Sequence, residues 1–215
     1  MAQLVFDCVG ARAEPYAVGP ILTFQVQISE TTGERVHAIA LRCQVRIEPY
    51  RRRYSDDEAQ RLHDLFGDRS RWADTVKPIL FAIVPVMVPG FTGAVQIDVP
   101  VSCTYDLEVA SARYFAGLDD GTVPLLLMFS GTVFIKRDNG FAVEQVPWSA
   151  ESSFPMPVSV WRDLIDRYFP DGAWLRCGRE TLDALGRFKS RHALPTWDAT
   201  LTELLKAAQS EVGRP

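Results

Sequence analysis

Three histidines and four cysteines are all that this chain offers for imidazole, thiol or soft-metal chemistry, and they are scattered. Cys8, Cys43, Cys103 and Cys177 form no C-x-x-C, and no cysteine stands at zinc-ligand spacing from a histidine. They read as small buried hydrophobes of a reducing compartment, two disulfides being the alternative in an exported chain. The glycines make neither G-x-G-x-x-G after a strand nor G-x-x-x-x-G-K-[ST], which excludes the common nucleotide-binding loops. A G-x-S-x-G elbow is also missing; the nearest pair, Ser130-Gly131, lies inside an apolar strand, where Gly131 reads as a bulge or a close-packing position. No cofactor, metal or catalytic motif is assembled.

Long hydrophobic runs are absent too. The longest, Ile79 to Val88, is interrupted by Pro85 and is too short to cross a bilayer. The N-terminus lacks a positive region followed by an apolar run and a small-residue cleavage site, so a cytoplasmic protein that does not span the membrane is expected. Positive charge is in deficit: 23 Lys and Arg against 27 Asp and Glu give a net charge of -4, which opposes nucleic-acid binding. The one basic run, Arg51-Arg52-Arg53, is followed by Asp56, Asp57 and Glu58 and reads as a solvated turn.

What is present is a core. The chain is 47% hydrophobic with 12 Phe and 5 Trp, enough to fold throughout. From Ile21 to Glu30 apolar and polar residues alternate with the period of a half-buried strand, and the pattern resumes at Ile39, Leu41, Cys43, Val45 and Ile47, with Ala40, Arg42, Gln44, Arg46 and Glu48 on the other face. Two such strands with a short connection predict a hairpin. Leu4 to Val9 predicts a further strand. Ser55-Asp56-Asp57-Glu58 is a capping box opening a helix that Gly67 ends, an insertion or a crossover between sheets.

Val95 to Val101 and Tyr105 to Val109 alternate and predict a second strand pair, with a short helix near Ala110 to Leu118. Val123 to Ile135 is apolar at both parities, predicting a strand covered on both faces, and Asp138-Asn139-Gly140 a tight turn out of it. After Pro157 the period becomes helical, with segments around Trp161, Leu182 and Leu201. The expected fold is α+β, mainly β: an antiparallel β-sandwich, immunoglobulin-like or C2-like, over 1–155 with an inserted helix near 55–67, and a helical extension over 156–215 packed on it as one globular unit.

Among residues that could carry chemistry, His37 and Cys43 share the inward parity of one strand, but six residues of strand set them roughly 20 Å apart, too far for one metal. His63 sits on a charged helix and His192 in a basic stretch. The adjacent pairs Asp56-Asp57 and Asp119-Asp120 suit caps and turns. The most unusual segment is 77–91. Its prolines rule out a central strand, yet its apolar density is that of a core. It is either an edge buried under helices or an exposed edge for a protein partner, with Ile79, Phe81, Ile83, Val86, Met87 and Phe91 as the candidate contacts. Trp161, Trp174 and Trp197, with Trp148 before them, are adhesive between layers or the lining of a small apolar-ligand pocket.

The runs ETTGERVHAIALRCQ from Glu30 to Gln44, VPGFTG from Val88 to Gly93, VPLLLMFSGTVF from Val123 to Phe134 and ALPTWD from Ala193 to Asp198 resemble a bacterial family known as a domain of unknown function. The resemblance covers nearly the whole chain. It implies an association with gene clusters of a high-affinity nickel-iron hydrogenase and assigns no residue a role. Together these readings lead to the expectation of a non-catalytic accessory or assembly protein that binds another protein, possibly a hydrogenase subunit or maturation intermediate. A small apolar-ligand binding module is the alternative, and an unrecognised enzyme the third.

Overall fold

Among the described residues, the alternating segments form eight strands that divide between two antiparallel sheets, with more residues in strands than in helices. The computed structural model describes residues 3–103, 109–137, 140–170 and 177–212. The first sheet has the order β1-β2-β5, from Leu4–Ala13, Ile21–Glu30 and Ala94–Ser102. The second is built on β3 (Val36–Ile47) and the long β6 (Thr122–Arg137). β4 (Ile79–Val88) forms its edge beyond β3, while β7 (Gly140–Gln145) and β8 (Glu151–Pro157) share the far side of β6.

The expected β2–β3 hairpin does not form. β1 and β5 occupy both edges of β2, and β3 pairs with β4 and β6, so residues 31–35 carry the chain from one sheet to the other. Gly33, at φ +83°, takes the left-handed conformation this turn requires. Alternation reports only that one face of each strand is buried; which strand lies alongside is a matter of long-range pairing.

Both sheets turn one parity inward. Phe24, Val26 and Ile28 of β2 and Leu41, Cys43 and Val45 of β3 are buried. Phe6 of β1 stacks on Phe129 of β6 at 4.6 Å between ring centroids, and Phe24 meets Phe154 edge-on at 6.5 Å. β1 also lies beside β8, where the Cys8 N–H donates to the Ser152 hydroxyl at 2.9 Å. At Gly131 the β6 backbone comes so close to β3 that a Cβ would sit 2.1 Å from the Ala40 carbonyl oxygen, so the close-packing reading of this glycine holds.

The capping box forms as written, with Ser55 and Glu58 exchanging hydrogen bonds at 3.1 Å at the start of α1 (Asp56–Arg61). The helix breaks at Leu62, continues as α2 (His63–Phe66) and ends at Gly67; α3 (Trp72–Thr75) follows. Because β3 and β4 are neighbours in one sheet, these helices are an insertion and not a crossover. The expected strand Tyr105 to Val109 falls mostly on 104–108, outside the described residues, while Val109 begins α4 (Val109–Ala116). α5 (Val158–Tyr168) packs on β1, β2 and β8, its Tyr168 hydroxyl donating to the Ala17 carbonyl at 2.8 Å.

The chain divides into two compact units, 1–171 and 172–215. The second contains α6 (Arg179–Arg191) and α7 (Trp197–Val212), which pack on each other. Among the described residues no helix is long and apolar enough to cross a membrane.

Candidate protein-docking face

The outward parity of the five-stranded sheet is where this sequence spends apolar residues without burying them. Along β3 the outward residues are Ala40, Arg42, Gln44 and Arg46. Opposite them on β4 stand Met87, Pro85, Ile83 and Leu80, and on β6 Thr132, Ser130, Met128 and Leu126. Met87 is 68% exposed, Ile83 42% and Leu80 39%. Leu126 and Met128 are half-buried, so the second face of β6 is not fully covered as its sequence predicts. A stripe with two arginines thus runs between an apolar flank on β4 and a β6 flank that is polar at Ser130 and Thr132 and apolar at Leu126 and Met128.

Two local devices shape this face. A bulge at Val45/Arg46 shifts the β3–β4 register, so Phe81 turns into the core while Leu80 stays outside. Pro85, opposite Arg42, has no N–H to give a ladder, which is tolerable because β4 is an edge strand, as the prolines predict. The same missing donor blunts that edge against pairing with another strand. With its side-chain amide turned so that the oxygen faces Arg46, Gln44 accepts from the Arg46 guanidinium at 2.8 and 3.0 Å. Arg42 is exposed and has no ion-pair partner among the described residues.

The candidate contacts of 79–91 therefore separate. Phe81 and Phe91 are in the core, Ile79 and Val86 are half-buried, and Ile83 and Met87 reach the surface. Phe81 meets Trp161 at 6.3 Å, and Trp161 stacks on Phe115 at 4.3 Å, so its indole is enclosed by aromatic neighbours from β4 and α4. Trp174 lies outside the described residues. Trp197, in the second unit, is 47% exposed, and the Lys189 ammonium stands 5.9 Å from its ring centre. With Leu182, Gly186 and Arg187 it lines an open groove between α6 and α7. Trp148 is exposed in the turn between β7 and β8.

The three histidines are engaged by neighbouring side chains. His37 is not inward: a bulge between Val36 and Ala38 reverses its parity, leaving it exposed with its ring 4.8 Å from Phe141. His63 meets Asp68 at 3.1 Å on the surface, and His192 packs on Phe188 at 4.2 Å. Among the described residues no three His, Cys, Asp or Glu converge as metal ligands. Burial pushes the Cys8 thiol up to about 11 and the Cys43 and Cys103 thiols up to about 12, so thiolate is scarce.

The basic run is not a solvated turn throughout. The Arg52 side chain is buried against Glu58 at 2.5 Å, and donates to the Thr122 and Asp120 carbonyl oxygens at 2.8 and 2.6 Å. Nearby, the Tyr54 hydroxyl donates to the Pro49 carbonyl and accepts from the Tyr114 hydroxyl, both at 2.8 Å. Burial raises both phenols, Tyr114 to about 12, and keeps them protonated. This cluster ties the inserted helix to the start of β6.

The outward patch escaped sequence reasoning centred on 77–91 because its other half comes from β6. The double-parity run Leu125-Leu126-Leu127-Met128-Phe129 was the available signal for it.

The chain matches a family of unknown function (DUF6084) over residues 1–213 and belongs to it. No curated protein matches the chain. Among solved structures, two of a beta-glucosidase from Kluyveromyces marxianus, one selenomethionine-labelled and one in complex with glucose, align with it at 11% and 10% identity. Each alignment covers 72% of this chain and 15% of that one, with a TM-score of 0.26. This chain thus spans about a seventh of the length of those enzymes.

Proposed function

We propose that this DUF6084 protein is a non-catalytic accessory or assembly protein that holds another protein on the outward face of its five-stranded sheet. The observation that carries this is Ile83 and Met87 standing exposed across β3 from the half-buried Leu126 and Met128, on a face whose opposite side is a filled core. Apolar side chains gathered on one side of a sheet are the usual mark of an interaction surface, whereas singly scattered ones are ordinary. The family resemblance suggests a nickel-iron hydrogenase subunit or maturation intermediate as the partner. We also read the two facing sheets as a sandwich of immunoglobulin-like or C2-like character, supported by the ring contacts Phe6–Phe129 and Phe24–Phe154 across them.

The test is native mass spectrometry of a tagged copy isolated gently from its own host, beside the double variant Ile83→Asp, Met87→Asp. A companion protein at fixed stoichiometry, lost in the variant, is the expected result. A companion retained by a folded variant would show that this face is not the contact.

A second reading, a small apolar-ligand module, draws on the groove beside Trp197 with Leu182 at its wall. A small bound mass in the same spectra, lost in Trp197→Ala, would favour it.

A further inference from the structure

We infer that the segment received by the outward face is an acidic amphipathic helix, with two carboxylates about two turns apart that meet Arg42 and Arg46. This rests on the docking reading above and adds the chemistry of the partner.

The argument begins with the stripe. Arg42 and Arg46 lie four residues apart on β3, so their Cα atoms are roughly 13 Å apart along the strand. Carboxylates at i and i+7 of a helix lie on one face about 10.5 Å apart, within reach of two flexible guanidiniums. Such a helix laid along β3 would place apolar residues on either side of its acids, over Ile83 and Met87 on one flank and Leu126 and Met128 on the other. Of the acids near this face, Glu151 stands opposite Met128, two strands and roughly 10 Å from β3, and Glu48, two residues past Arg46, is taken by Arg51 at 2.7 Å and by the Tyr50 hydroxyl at 2.8 Å, so neither forms an ion pair with Arg42 or Arg46. On a chain of net charge -4, two cations without acid partners, flanked by Ile83 and Met87 on one side and Leu126 and Met128 on the other, call for negative charge from outside.

The same layout disfavours two other occupants. A membrane-binding face puts apolar tips at its centre and cations at its rim, where headgroups are; here the cations are central, and insertion would drive them into hydrocarbon. A second copy docked face to face about a two-fold axis would bring one arginine stripe against another.

The probe is a fluorescein-labelled 18-residue helical peptide with one apolar face carrying Glu at positions i and i+7, and a twin with Lys at both. Fluorescence anisotropy is measured on the full chain, with circular dichroism to confirm folding of every variant. The Glu peptide should bind at least tenfold more tightly than the Lys peptide, and Arg42→Glu with Arg46→Glu should reverse the preference. Equal binding of the two peptides, or binding of neither, overturns the inference. So does sedimentation with phosphatidylglycerol vesicles, or concentration-dependent dimerisation, that the arginine variant abolishes. If Ile83→Asp with Met87→Asp leaves Glu-peptide affinity unchanged while the arginine variant removes it, the β4 docking surface fails and the charge inference stands. If both peptides bind alike and both are lost in the β4 variant, the charge inference alone fails.

Discussion

Arg52 and Glu58 face each other at 2.5 Å with side chains only 9% and 6% exposed, joining the segment that leads into the inserted helix to its first turn. Glu58 also closes the capping box through the Ser55 N–H and accepts the Asp119 N–H at 3.0 Å. Removing the arginine leaves a buried carboxylate with two backbone N–H partners and no counter-charge. Arg52→Ala should cost about 3–5 kcal/mol, the range for breaking a buried pair from one side. Urea unfolding checks this: a midpoint within error of the parent's would mean the pair is no more than a surface contact.

The same carboxylate sets an acid response. Burial alone would raise the Glu58 pKa, but the Asp119 and Ser55 N–H groups and Arg52 outweigh it and hold it below the ordinary value. Glu30 behaves alike, its burial outweighed by hydrogen bonds from Thr32, Gln3 and Gly33. A lowered folded-state pKa contributes stability above the unfolded value, about 4.3, and that contribution is lost as pH falls through the folded value. Stability should therefore drop below about pH 4. In Glu58→Gln the drop should be shallower from a lower plateau, as read from urea midpoints between pH 3 and 7.

Gly131 should tolerate nothing larger. Its φ is +150° and a Cβ would meet the Ala40 carbonyl at 2.1 Å, so β6 and β3 would have to separate. Gly131→Ala is expected to cost about 3 kcal/mol or more, or to prevent folding. Gly33→Ala, strained at φ +83° but with open space around it, should cost about 1 kcal/mol. Equal thermal shifts for the two would contradict the close approach.

Thiol labelling should resolve the cysteines by burial. Cys177 is exposed and should react with a disulfide reagent at once in the folded protein. Cys43 and Cys103, buried and pushed up to about 12, should react only on unfolding, with Cys8 intermediate. Prompt labelling of Cys43 would show that the core opens far more readily than its packing indicates.

Within β4 the two parities should part sharply. Phe81→Ala removes a ring packed on Phe115 and Trp161 and should cost about 3–5 kcal/mol, whereas Met87→Asp should stay within about 0.5 kcal/mol. Similar urea midpoints for the two would mean the bulge does not separate Phe81 from the outward face.

Much of the local structure is legible without coordinates. Alternation over Ile21 to Glu30, the box Ser55 to Glu58, the stop at Gly67 and the helical period after Pro157 each depend on residues within a few positions of one another. So does the edge position of β4, because proline carries its missing donor wherever it goes. The burial of Arg52 was not legible: its partners at Asp120 and Thr122 are some seventy residues away. His37 was misread because one bulge residue reverses parity without changing the pattern around it.

What the amino-acid order determined by itself is which residues alternate, which cap and which cannot donate, since these follow from backbone geometry and side-chain chemistry over short spans. Only the tertiary structure decided that β2 and β3 belong to different sheets and that Ile83 and Met87 lie on one face with Leu126 and Met128 around two arginines. The reason is that strand pairing is a long-range choice among segments with the same period, and a face made of three strands exists only once that choice is made.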